Sequence, residues 1–288
     1  MADQAQNLRD LVWKARTRAH VLAVTSGKGG VGKTSTSVNL AIALASRKHR
    51  VILLDADLGL ANVEVLMGLS SMYNLGHVID GSKQMLDILV KGPGGIEIVP
   101  GSSGLARVAD LGPEERANVL RGLGVLQDEA DFIIIDTMAG IGANVVSFAA
   151  AADEVLLVTT PEPSAIVDAY AMVKTLHTHS AELPIRLLVN MVANQAQAQA
   201  VAGKLANVAR QYLSRTVTYL GFLPRDPHVG QAVMQSQPFS LKYPASPAAR
   251  CMELIASRLV HQQPAPSEKR KEGFLRRFAT TLGIASNG

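Results

Sequence analysis

The sequence predicts an α/β fold, a mostly parallel sheet flanked by helices. Three observations predict it. Short, near-continuously apolar runs recur along the chain, as strands buried on both faces require. Helical stretches lie between most of them, which makes βαβ crossovers and hence parallel pairing. A glycine-rich turn, Ser26-Gly27-Lys28-Gly29-Gly30-Val31-Gly32-Lys33-Thr34, joins the first run to the first helix and fits the spacing G-x-x-x-x-G-K-[ST].

Taken in order, residues 3–18 read as an amphipathic helix with Leu8, Leu11, Val12 and Ala15 on one face. Val21 to Val24 is the first strand. The helix after the turn, Thr36 to Ser46, carries Val38, Ile42 and Ala45 at helical spacing and contains no proline. Further strands are read at Val51–Leu54, Ile96–Val99, Phe132–Ile135, Val155–Val158 and Ile185–Val189. Thr218–Phe222 adds a later strand and Ser246–Val260 a closing helix. Pro264-Ala265-Pro266-Ser267 breaks the pattern and reads as a linker. These boundaries give a leading helix over 1–19, one α/β domain over 20–262, and a linker with a basic tail over 263–288.

The turn carries the chemistry. A glycine-rich loop between strand and helix points backbone N–H groups inward, and the helix N-terminus adds partial positive charge, so the loop holds polyphosphate. Gly27 to Ser35, including Lys28, Gly29, Gly30, Val31 and Gly32, is therefore the expected cradle. Lys33 would reach the β- and γ-phosphates and Thr34 would bind magnesium. Ligands of open α/β sheets sit at the carboxyl ends of strands, which singles out a few polar residues. Asp55 and Asp57 follow the second strand, two apart and so on one side of an extended segment. Asp57 is the candidate to orient the attacking water, and Asp55 to assist the metal. Asp136 ends the Phe132 strand and looks like a second metal carboxylate, acting through water. After it, Thr137 to Gly142 is small and flexible, as a sensor of the terminal phosphate would be. Asn190 could read adenine with its amide, and no guanine-selecting motif follows it. Pro224 and Asp226 frame a second base-binding loop.

Composition sets limits. With 288 residues and 48% hydrophobic content the chain can bury a large core. One cysteine, Cys251, excludes a disulfide framework and a cysteine-bound cluster, and fits a reducing cytoplasm. The N-terminus has no secretory signal character, and the longest uncharged run, Thr137 to Ala152, falls short of the ~20 apolar residues a span needs. Of the net charge of +4, +3 lies between Glu268 and Gly288. The domain itself is nearly neutral, so direct nucleic-acid binding is not expected.

The residues reached so far resemble one family. Lys28 stands where the deviant Walker A ATPases of the MinD/ParA type have a lysine that crosses into a partner's site. That resemblance implies a homodimer sandwiching two ATP molecules, with Lys28 acting at the partner's terminal phosphate much as an arginine finger does. Asp55 to Gly68, Asn74-Leu75, Gly92-Pro93-Gly94-Gly95, Thr159 to Pro163 and Asp168-Ala169-Tyr170 are similar to the FlhG/FleN (YlxH) flagellar-number regulators, over about Asp3 to Val260. Asp3, Gln4, Ala5, Leu8 and Arg9 match the D-Q-A-x-x-L-R motif by which that family stimulates the SRP-type GTPase FlhF. The resemblance implies a P-loop NTPase of the MinD/ParA (SIMIBI) type that hydrolyses ATP with magnesium and governs flagellar number and placement. It also implies contacts with flagellar C-ring switch proteins and with the FleQ/FlrA master regulator.

The tail reads physically as well. Phe274, Phe278 and Leu282 share a helical face with Leu275 beside them, while Arg276 and Arg277 lie opposite. Behind a flexible linker this is a basic amphipathic membrane-surface pattern, similar to the MinD targeting tail. Gly273 costs roughly 1 kcal/mol in a helix, so the helix is expected to form only on an anionic lipid surface. The expected protein is a cytoplasmic ATPase switch, peripheral to the inner face of the cell membrane and, by the resemblance, polar. A septum-site MinD and a ParA-like DNA-partition ATPase are the alternatives. The leading motif and Gly92-Pro93-Gly94-Gly95 argue against the first, and the near-neutral domain against the second. An iron–sulfur reductase of the same fold lacks its cysteines.

Overall fold

Strand β1 (His20–Ser26) lies near the centre of an eight-stranded sheet, and the fold is built outward from it. The computed structural model describes residues 18–57, 62–101, 111–262 and 273–281. On one side β1 pairs in parallel with β5 (Phe132–Ala139), Leu22 opposite Ile134 and Val24 opposite Asp136. On the other it pairs in parallel with β6 (Glu154–Thr159). β2 (Val51–Ala56), β4 (Glu97–Val99), β7 (Ile185–Val192) and β8 (Thr218–Pro224) extend the sheet in parallel. With β3 (Val90–Lys91) at one edge, the order is β3-β4-β2-β5-β1-β6-β7-β8.

The apolar runs are buried on both faces, as their composition demands. Alternate residues of each strand feed two separate clusters. Leu22, Val24, Leu53 and Ile134 pack against α1 (Lys33–Ala45) and α10 (Pro247–His261). Val21, Ala23, Ile133 and Ile135 pack on the opposite face against α4 (Pro113–Glu129), α5 (Ala143–Ala151), α6 (Pro163–His179) and α7 (Gln195–Leu213). Between β2 and β4 lie the short helices α2 (Asn62–Met67) and α3 (Leu75–Ile79). After β8 come α8 (Pro227–Met234) and α9 (Phe239–Lys242).

Two features depart from the sequence reading. β3 is antiparallel to β4, turned back through Gly92 to Gly95, and its two residues offer no apolar run to detect. The tail helix α11 (Phe274–Thr281) is formed with the domain itself as its apolar partner. Its apolar face is docked on the domain, with Phe274 and Phe278 buried and Phe278 stacked 4.7 Å from Phe148 of α5. Arg277 donates to the Ala151 carbonyl at 2.8 Å and pairs with Asp153. The physical reason is that an apolar stripe needs only an apolar partner, and the groove beside α4 and α5 supplies one. Leu275 lies against Gly124 there. Leu282 and the leading motif residues Asp3, Gln4, Ala5, Leu8 and Arg9 lie outside the described residues.

Candidate nucleotide site

The cradle begins where β1 ends. Gly32 caps α1 in the left-handed region (φ 85°), which a side chain at this position would strain. Gly27 has a second reason to be glycine, since a Cβ there would fall 2.1 Å from the Asp168 carbonyl oxygen of α6. Two hydrogen bonds hold the loop's shape. The Ser26 hydroxyl donates to the Lys28 carbonyl at 2.9 Å, and the Asn190 amide donates to the Val31 carbonyl at 2.8 Å. A cavity of about 380 Å³ opens on the loop, lined by Lys28 to Ser35, with Asp57, Asn62, Val65 and Val233 on the facing walls.

Beneath this floor lie two carboxylates. Asp136 is fully buried; its Oδ1 is 3.5 Å from Lys33 Nζ and accepts from the Ser37 hydroxyl at 2.8 Å. Burial raises its pKa, opposed by the Lys33 ammonium and by hydrogen bonds from Thr34 and Ser37. Asp55 is also fully buried, and burial, then the charge of Asp136, pushes its pKa up to about 7. Its two oxygens accept from the backbone N–H groups of Asp57 (3.0 Å) and Val63 (3.3 Å). Asp57 itself stands at the cavity wall, where its Oδ2 accepts from the Asn62 amide at 2.8 Å. The structure thus parts Asp55 and Asp57, which their spacing had placed on one side: Asp57 stands at the water-accessible wall, while Asp55 lies below it with Asp136.

These residues fit a magnesium ion. Asp136 Oδ2 is buried with no partner, and the Thr34 hydroxyl and Asp55 complete an all-oxygen donor set suited to a hard cation. Among the described residues no three His, Cys, Asp or Glu side chains gather as metal ligands. Magnesium characteristically takes one or two carboxylates plus phosphate oxygens and water, so a partial protein shell is what it requires.

Lys28 points away from its own loop. Its Nζ lies 2.7 Å from Glu162 and 2.9 Å from the Ser164 hydroxyl, at the start of α6. This ammonium lowers the pKa of Glu162 through a hydrogen bond and its charge. A smaller cavity of about 260 Å³ lies between Thr160, Pro161, Glu162, Met191 and Arg225.

Asn190 and Asp226, the candidates for base reading, each also have a role within the fold. The amide of Asn190 is engaged on both sides, donating to the loop and accepting from the Met191 N–H at 2.8 Å. It acts as a clasp on the cradle. Asp226 is a double helix cap, accepting from the N–H groups of His228 and Ala248, both at 3.0 Å. Burial would raise its pKa, but those bonds and the His228 ring hold it low. Pro224 is the last residue of β8, and Arg225, which follows it, lines the smaller cavity. Sequence reasoning missed Glu162, Ser164, Asn62 and Ser37 as site residues. Ser37 was findable, four residues after Lys33 on one helix face; Glu162 is 134 residues from Lys28, with no local signal.

Known proteins share this arrangement. A family profile described as the CobQ/CobB/MinD/ParA nucleotide binding domain matches residues 22–239. The antiactivator FleN of Pseudomonas aeruginosa is 42% identical over 262 residues, covering 91% of this chain and 92% of that protein. The flagellum site-determining protein YlxH of Helicobacter pylori is 35% identical over 268 residues, covering 91% and 90%. Among solved structures, the MinC:MinD cell division protein complex of Aquifex aeolicus superposes with a TM-score of 0.69 at 26% identity, covering 88% of this chain and 100% of that one.

Proposed function

The chain belongs to the MinD/ParA nucleotide-binding family, within the FlhG/FleN (YlxH) branch, and from that premise we propose that it is a dimerising ATP switch whose two ends act on other components. It is a MinD/ParA-type ATPase and a regulator of flagellar number. The finer proposal is that ATP with magnesium joins two copies face to face and that hydrolysis parts them.

The observation that carries this reading is the position of Lys28. It stands at the mouth of the cradle, outside the phosphate path that Lys33 occupies, on an exposed partner it can leave. Around that mouth Val65, Val233 and Met234 are exposed apolar side chains, the kind of rim a second copy would cover. When bound, magnesium neutralises charge at the phosphates; Thr34, Asp55 and Asp136 would hold it. Lys33 and the loop N–H groups bind the phosphates, Asn190 keeps the loop in shape, and Asp57, steadied by Asn62, orients water for attack.

The tail fits reversible attachment to an anionic lipid surface. No helix among the described residues is long and apolar enough to cross a membrane. Burying Phe274 and Phe278 is worth about 1.5–3 kcal/mol each, on lipid or in the groove, and one face cannot serve both. Attachment therefore requires release of α11 from α4 and α5, and two released tails in a dimer bind at high effective concentration. Asp3, Gln4, Ala5, Leu8 and Arg9 are proposed to stimulate the FlhF GTPase. Contacts with C-ring switch proteins and the FleQ/FlrA regulator are proposed from the family resemblance alone.

The test is a strain whose own copy carries Lys28→Ala, with the purified variant sedimented beside it. ATP binding should persist while the ATP dimer is lost, and flagella per cell should exceed the wild-type number. A normal dimer together with a normal flagellar count would refute the reading.

A further inference from the structure

The nucleotide cradle occupies the carboxyl ends of the strands; a second cavity, of about 450 Å³, lies at the opposite edge of the sheet. Its walls come from the starts of β6, β7 and β8 and from the turns before β7 and β8. Two arginines line it, Arg186 and Arg215, both more than nine-tenths buried. They differ in one respect. Arg186 pairs with Glu154 and donates to the Gln262 carbonyl, so its charge is compensated. Glu154 has a further partner in the His20 ring, 3.3 Å away.

Arg215 has no such partner. Among the described residues its one side-chain hydrogen bond runs from Nη2 to the Leu183 carbonyl, and its Nε is buried with nothing to donate to. Burial depresses its pKa, with no carboxylate opposing the shift. An uncompensated cation of this kind is costly, and folds keep one chiefly where a counter-charge arrives from outside. Ser214, Thr216 and Thr218 add exposed residues with hydroxyl groups around the opening.

We infer that this cavity is a second anion site, one that takes a phosphomonoester group, with Arg215 as its principal cation. The guanidinium fork matches a tetrahedral oxyanion, and hydroxyl donors suit the remaining oxygens. The volume suits a small organic phosphate. A soluble phosphate ester and a lipid headgroup share this chemistry. The cavity also lies on the tail-bearing edge of the molecule: Glu154 lines it, and the preceding Asp153 holds Arg277 of α11.

The experiment uses the full chain with its cradle filled by ADP and magnesium, so that phosphate cannot register there. Arginine Nε–Hε resonances are followed while inorganic phosphate, then glycerol phosphate, is added. The expected result is a saturable shift of the Arg215 resonance, weakened several-fold in Thr216→Val, whose altered side chain lies at the exposed rim. A shift that does not saturate, or none, overturns the site. Vesicle arms separate the sources. If Arg215→Lys loses binding to phosphatidic acid vesicles but keeps binding to phosphatidylglycerol vesicles of equal charge, the headgroup is the ligand. If both vesicle types bind the variant as they bind the wild type while the soluble titration is weakened, the ligand is a free phosphate ester. Loss of neither kind of binding in Arg215→Lys refutes the role of Arg215.

Discussion

The Lys28 ammonium and the Glu162 carboxylate meet at 2.7 Å across the lip of the nucleotide cradle, 134 residues apart in sequence. On the proposed reading, in which Lys28 serves a partner's phosphate, this pair holds the lysine on its own chain until the partner arrives. Such an exposed pair is easily exchanged. Glu162→Gln should therefore lower the protein concentration at which ATP and magnesium produce a dimer, by no more than about five-fold. Sedimentation velocity across a concentration series checks this, and a midpoint that stays put or rises contradicts the holding role.

Asp57→Ala should keep ATP affinity and lose hydrolysis. Positioned acid–base groups contribute about 10²–10⁴-fold, so turnover should fall by that order and the ATP dimer should persist. Asn62→Ala, which removes only the hydrogen bond steadying Asp57, should give a smaller loss. Single-turnover hydrolysis beside nucleotide binding separates the two effects.

Asp55 makes the protein respond to pH near neutrality. Its pKa is about 7 in the fold against an ordinary 3.8, so between these values the folded chain holds a proton that the unfolded chain has released. This group's contribution makes the nucleotide-free protein less stable as pH rises through that window, levelling off above about 7. Magnesium demands the opposite state, since the carboxylate must be ionised to help hold it. Urea midpoints should decline from pH 5.5 to 8 while the magnesium requirement of the ATPase eases. Asp55→Asn should flatten both trends.

The docked tail can be dislodged from the groove side. A Cβ at Gly124 would lie 3.1 Å from Leu275 Cδ1, so Gly124→Leu puts a side chain where α11 rests. Replacing a mid-helix glycine also favours α4 by up to about 1 kcal/mol, so the domain should stay folded. Co-sedimentation of the ADP form with anionic vesicles should rise several-fold. Unchanged binding would mean that docking does not restrain the tail.

Much of this was legible in the sequence. The apolar runs at Val51–Leu54 and Phe132–Ile135 are strands because burial on both faces leaves no room for polar alternation, and the loop motif dictates its own geometry. The rest depended on contacts that leave no local trace. β3 is two residues long, below any periodicity. The stripe of Phe274 and Phe278 looks the same whether lipid or α5 covers it. Asn190 and Asp226 sit where base-reading groups would stand, yet a clasp and a double cap use the same polar atoms. Arg215 is notable only for the partner it lacks, which no residue pattern announces.

Helix α5 starts just beyond the loop that follows Asp136, with Gly142 as its cap, and ends at Ala151, whose carbonyl holds Arg277. At 1.5 Å per residue it is a rod of about 13 Å, one end beside the loop after Asp136 and the other under the tail. A displacement of α5 at the loop end would be felt at Phe148 and Ala151, two of the contacts that seat α11. The loop after Asp136 at the upper rim of the sheet and the seat of the tail at its lower rim thus share one helix.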